Sequence, residues 1–397
     1  MPEYLTPGAY VEETPRRAIA AAASAVTAFV GHTLSGPINR IVPVGSFLEY
    51  ANAFGGLAAS SELSYAVLQF FRNGGRRALI LRVPELDTGL PDLEALIGAT
   101  SSVGMGLRGL EVDDEFNLLC VPDATRPRAP NGTVSEFRAG KVNELWQAAI
   151  DLCRRKRALL LIDAPVEIRS TMAAQAWVGE LPREHGEFAA AYGPWIEIAD
   201  PLQDGAPRHC APAGTVAGLI ARTDAEHGIW KAPAGIDAVL RQVKGLAARF
   251  GDADQAILNP LSLNMLRLLD DRGPVCWGAR TLDMSGDWPY VATRRLASHV
   301  ERSVARGLAW TAMEENAAPL WTAVREDVAA FLQTLFRAGA FAGQSPDDSY
   351  FVKCGADTTT QNDIDEGRLI LEIGIAPLRP AEFVVLRIGL TTRPPNG

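Results

Sequence analysis

The sequence lacks the signatures that most often announce chemistry. It has no GxxxxGK[ST] loop, no GxSxG elbow and no HExxH. Their absence excludes the P-loop cradle for nucleotide phosphates, the exposed serine of an α/β-hydrolase and the usual helical zinc site. His32, His185, His209, His227 and His299 stand apart, and only His209 neighbours a cysteine; adjacent side chains seldom ligate one metal. The five cysteines, Cys120, Cys153, Cys210, Cys276 and Cys354, form no CxxC pair and read as buried free thiols in a reducing compartment. No apolar run is long enough to span a membrane; residues 18–30 are apolar but short and rich in alanine. The opening has no basic segment followed by a hydrophobic one, so the reading is a protein made in the cytoplasm without a signal peptide and with no membrane insertion. Positive charge is also short. The net charge is −9 and the pI about 5.2, which argues against a general nucleic-acid binder.

What is present is an ordinary globular composition, 47% hydrophobic and 21% charged, over 397 residues, enough for two domains. Apolar strands at 25–30, 78–83, 116–121 and 158–162 alternate with helices at 46–54, 62–72, 90–97 and 141–155. Near-continuous apolar strands alternating with helices predict a sheet covered on both faces, and so an α/β domain over 24–205. A stretch at 200–213, rich in proline and glycine, reads as a loop or boundary. The second half predicts two long amphipathic helices, 291–313 and 317–338, the latter with Asn316 as N-cap, Pro319 in its first turn and Gly339 as its stop. A strand pair, 368–375 with 382–389, follows. The fold class is mixed α/β and α+β.

Three patterns imitate functional motifs. Residues 104–109 match GxGxxG, but a helical stretch precedes them and the strand-like 116–121 follows, the reverse of a dinucleotide site. Leu159–Asp163 resembles a Walker B strand without a phosphate loop to serve; a buried strand entering a turn explains it more simply. Asp252 and Asp254 could hold a cation, yet a solvated acidic loop needs no further ligands. The expectation is no catalytic residue, no cofactor and no metal.

The ends of the chain are distinctive. Tyr4, Leu5, Pro7, Gly8, Tyr10 and Val11 make an extended, strand-prone arm, and Phe383, Val384, Val385, Leu386 and Ile388 form a β-rich run near the other end. An isolated terminal strand frays or adds to a sheet edge. Pattern alone leaves two readings open: the termini pair within one domain, or they are exchanged between copies.

The opening resembles the start of contractile tail sheath proteins, found in myovirus-type phage tails, R-type tailocins and extracellular contractile injection systems. Further marks of that family follow in order: Gly228–Gly235 (GIWKAPAG), Leu258–Pro260, Gly278–Leu282, Tyr290–Leu296, Glu314–Asn316, Gly339–Gly343 and Pro380–Val385. The resemblance implies a structural subunit, not an enzyme, that forms stacked hexameric rings around an inner tube protein. Baseplate and cap proteins would bound the particle, and contraction would drive the tube forward. It also implies an N-terminal arm over 1–23, an inserted outer domain over 24–205, an inner tube-proximal domain over 206–380 and a C-terminal arm over 381–397. A baseplate-proximal sheath paralogue is the alternative within the family, and a cytoplasmic α/β enzyme the alternative outside it. Between Thr293 and Trp310, Arg295, His299, Arg302 and Arg306 recur at intervals of four, three and four, one stripe of a helix. Given the resemblance, that stripe is expected to face acidic groups on the tube.

Overall fold

The computed structural model describes residues 18–84, 93–98, 106–125, 141–379 and 383–393. The chain divides into two compact units, one of residues 22–301 with 377–382, the other of residues 1–21, 302–376 and 383–397.

In the first unit the strands run β1 (Thr27–Gly31), β2 (Ile41–Val44), β3 (Ala78–Arg82), β4 (Leu118–Cys120), β5 (Leu159–Asp163), β6 (Ala189–Gly193), β7 (Ile196–Ala199), β8 (Pro207–Cys210), β9 (Gly245–Leu246), β10 (Leu263–Leu269) and β11 (Gly273–Cys276). Among the described residues, eight of them form one sheet in the order β11-β10-β6-β5-β4-β1-β3-β2. The six central strands are parallel, and β2 and β11 close the edges antiparallel. Strands β8-β7-β9 form a second sheet that shares a core with the first.

The strands are apolar on both faces because both faces are covered. Ala28, Val30, Leu119, Leu160 and Ile162 point into one core, with Trp146 and Ile150 of helix Lys141–Lys156. Phe29, Ile80, Leu118, Leu159 and Leu161 point into the other, with Val67 and Phe70 of helix Glu62–Asn73. That is the period-two alternation of a strand read on two buried sides. Ser61 caps helix Glu62–Asn73 by accepting from the Ser64 amide, and Gly74, at φ +117°, ends it. Helix Ala213–His227 lies so close to this helix that a Cβ on Gly214 would sit 2.3 Å from the Ala66 carbonyl oxygen, and one on Gly218 2.4 Å from that of Phe70.

The second unit holds helix Ala318–Arg337 and a three-stranded antiparallel sheet of β12 (Tyr350–Cys354), β13 (Arg368–Ile375) and β14 (Val384–Thr391), with β13 central. Val324, Val328, Phe331, Leu332 and Leu335 make the buried face of the helix, and Leu369, Leu371 and Ile373 that of β13.

Three expectations change. Residue 205 is not where the chain divides: Pro207–Cys210 is a strand, and β10 pairs in parallel with β6, so 206–301 completes the same unit as 24–205. The first long helix stops at Gly307, and 309–313 is a 3-10 turn. Helix Ala318–Arg337 begins after Ala317, not Asn316. The Asn316 side chain instead accepts from the Trp321 indole at 2.7 Å and donates to the Arg368 carbonyl at 2.8 Å, tying the helix entry to β13.

Candidate functional site

Helix Val291–Gly307 carries the expected cationic stripe, and packing splits it. Leu296, Val300, Val304 and Leu308 are buried, as amphipathicity predicts. Arg295, however, is only 4% exposed. Its guanidinium donates to both carboxylate oxygens of Asp224, at 2.9 and 2.6 Å, and to the Ser24 carbonyl at 2.7 Å. His299 is buried as well. Neither can belong to an outward cationic row. Arg302 is half-buried and Arg306 exposed, and both have interactions within the chain. Sequence reading also missed Arg294, buried on another side of the helix. It stacks 4.0 Å over Trp288 and bonds Glu301, which Arg157 meets from outside. No local signal reveals the Arg295 pairing, because Asp224 lies 71 residues away.

The N-terminal arm residues Tyr4 to Val11 lie outside the described residues. The C-terminal run is described: β14 pairs with β13 of the same chain along its whole length, from Val384 opposite Ile375 to Thr391 opposite Arg368. Leu386 is buried, while Phe383 and Val385 are about half exposed. Among the described residues β14 is an edge strand, so one of its two hydrogen-bonding edges faces no other strand.

In open α/β sheets, ligands bind beyond the carboxyl ends of the strands where the strand order reverses. Here that place lies between β1 and β4, and Asp123 occupies it. Its carboxylate accepts from the His32 amide at 2.6 Å, and a Cβ on Gly31 would meet it at 2.0 Å. Gly104 lies outside the described residues, and Gly106 (φ +54°) begins a 3-10 helix against the backbone of 95–98. Asp163, at the end of β5, is fully buried and accepts from the Ala213 amide at 2.6 Å; burial pushes its carboxyl up to about 8. It fastens the start of helix Ala213–His227 to the sheet. Among the described residues no group of three or more His, Cys, Asp or Glu is placed to hold a metal, and all five cysteines are free and buried. No helix among them is long and apolar enough to cross a membrane.

A cavity of about 530 Å³ opens in the first unit, and four of the quoted sequence segments converge on it: 228–235, 258–260, 278–282 and 290–296. Its aromatic wall is Trp230, Trp277 and Tyr290; its cations are Lys231, Arg280 and Arg379. Local packing and side-chain-to-backbone hydrogen bonds shape the walls. Gly228, at φ +89°, lets Trp230 fold to where a Cβ would sit 2.3 Å from the indole. Buried Asn264 clamps Arg280, accepting from its amide at 2.6 Å and donating to its carbonyl at 2.7 Å. Thr293 donates to the Arg379 carbonyl at 2.6 Å, fixing the third side. Among the described residues no aspartate or glutamate lines the cavity.

Comparison with known proteins gives this geometry its context. A family model described as the phage tail sheath C-terminal domain matches residues 283–391. A prophage major tail sheath protein of Pseudomonas aeruginosa (strain UCBPP-PA14) is 24% identical over 250 residues, and the chain spans about 60% of the length of that curated relative. The helical sheath of the anti-feeding prophage in its contracted state is 31% identical, with a TM-score of 0.73 over 97% of this chain and 99% of that one. The PVC sheath complex of an extracellular contractile injection system, also contracted, is 26% identical, with a TM-score of 0.74 over 98% of both chains. Matching sequence and fold from end to end, the chain belongs to the contractile tail sheath family.

Proposed function

We propose that this chain is the repeating subunit of a contractile sheath. Copies assemble as hexameric rings stacked helically around an inner tube, between a baseplate and a cap. The extended sheath is metastable; on triggering it shortens and widens, driving the tube through a target membrane. The carrying observation is the 31% identity to the anti-feeding prophage helical sheath over 97% of this chain. The role is structural, so function rests on surfaces. Links between subunits must persist while the main contacts break and re-form in a lower-energy packing.

Terminal strands suit the persistent links. Residues 4–11 of one copy add to a sheet edge of another, and β14 offers an edge where Phe383 and Val385 are exposed. Each main-chain hydrogen bond contributes only about 1 kcal/mol net, but several links per subunit must break together before one detaches. A tube-facing role of helix Val291–Gly307 falls to Arg302 and Arg306, at its end.

Electron microscopy of the purified protein tests this. The full chain should form rings or striated tubes. A version without residues 1–13 should stay folded and form no long tube. Removing 381–397 should also abolish tubes and, by baring β13, promote aggregation. Full-length tubes from either truncation would refute the strand linkage, and a wild-type protein that stays monomeric would refute the sheath role.

A further inference from the structure

The cavity described above gathers positive charge that no described residue pairs with. Lys231 and Arg379 are exposed and Arg280 is half-buried, its guanidinium 5.4 Å from the Tyr290 ring centre. None of the three forms an ion pair with a described residue, and no acid among the described residues lines the cavity, although the chain carries a net charge of −9. The Asn264 and Thr293 hydrogen bonds hold the backbone at Arg280 and Arg379. Aromatic faces beside cations suit a ligand that joins carboxylates to an apolar group.

The chain displays such a segment in its other unit. Met313 ends the 3-10 turn Ala309–Met313 and Glu314 and Glu315 follow it; all three are exposed, Met313 by 79%. Neither glutamate forms an ion pair with a described residue. The backbone is nonetheless held: the Glu314 amide donates to the Thr311 carbonyl at 3.0 Å, and the Glu314 carbonyl accepts from the Arg393 amide at 2.9 Å. A thioether beside two unpaired carboxylates, on a braced turn, complements three unpaired cations beside three aromatic rings.

The geometry points to a second copy of this chain as the occupant of the cavity, docked through its Met313–Glu315 turn. Met313 lies against the aromatic wall, and Glu314 and Glu315 meet Lys231, Arg280 and Arg379. The contact joins two different patches, so a joined pair still has one free cavity and one free turn; such head-to-tail contacts build rings or helical filaments and do not stop at dimers. The inference deepens the sheath reading and rests on it for the premise that copies touch one another.

Charge reversal tests the pairing, read as the concentration at which the full chain self-associates in sedimentation velocity. Lys231→Glu with Arg379→Glu, and separately Glu314→Lys with Glu315→Lys, should each raise that concentration about tenfold or more. The four changes combined should restore it to within about threefold. As a second readout, Met313→Cys with Leu378→Cys in the otherwise intact chain should give dimers and larger species with a short bismaleimide, since the native thiols are buried. Self-association by both charge-reversed pairs at the wild-type concentration would overturn the contact and leave the sheath reading standing. Failure of the fourfold variant to recover, or of the cysteine pair to cross-link between copies, would also overturn it. A wild-type chain that never self-associates would overturn both.

Discussion

Replacing Arg295 by methionine separates a structural arginine from a surface one. The Arg295 and Asp224 side chains are only 4% and 5% exposed, and the guanidinium makes three hydrogen bonds: two to the carboxylate and one to the Ser24 carbonyl. Methionine fills much of the same volume but leaves the Asp224 charge buried without its partner. Breaking a buried pair from one side costs about 3–5 kcal/mol. An exposed arginine on a solvated helix face would cost under about 0.5 kcal/mol. With a urea dependence of about 3 kcal/mol per molar or more, expected for a chain this long, the midpoint should fall by about 1 M. Pairing the change with Asp224→Leu removes the orphaned charge and should recover most of the loss, because isosteric apolar pairs often match buried ion pairs in stability. Urea melts followed by circular dichroism, at low and at high salt, provide the measurement. Salt should alter the gap little, since the pair is shielded from solvent ions. A midpoint shift under about 0.2 M, or a double variant as unstable as the single one, would refute the reasoning.

Two more outcomes follow from particular contacts. Burial holds the Asp163 carboxyl at about 8 against an ordinary value of 3.8, so the folded state keeps a proton that the unfolded state sheds. Its penalty on stability therefore grows from about pH 4 to about pH 8 and is flat above, up to about 5 kcal/mol. Asp163→Asn should gain on the wild type as pH rises from 5 to 8; a constant gap in thermal midpoint across that range would count against it. Gly218→Ala forces a Cβ to 2.4 Å from the Phe70 carbonyl oxygen and should cost about 2 kcal/mol, whereas Gly179→Ala, on an open helix face, should stabilise by about 0.5 kcal/mol. Thermal melts in which both glycine variants move alike would show that the close helix approach does not matter.

The sequence by itself determined the parts that depend on near neighbours in the chain. Strands apolar at every position announced a sheet covered on both sides, because the pleat sends alternate residues to opposite faces and both must be dry. Helix Glu62–Asn73 was legible from its apolar stripe and the glycines after it, since capping and periodicity act within a few residues. The family was legible from ordered segments spread over the second half. Tertiary structure alone decided what distant segments do to one another. Arg295 and Arg306 look equivalent along one helical stripe, yet Asp224 and Ser24 reach the first and bury it, while the second stays exposed. Asn316 has the chemistry of a helix cap, yet the Trp321 indole and the Arg368 carbonyl claim its side chain. The unit extends past residue 205 because β10 finds β6 as a parallel partner, a pairing across some seventy residues that leaves no local mark. Burial and charge pairing are properties of the space around a side chain, and that space is filled by residues the local sequence does not name.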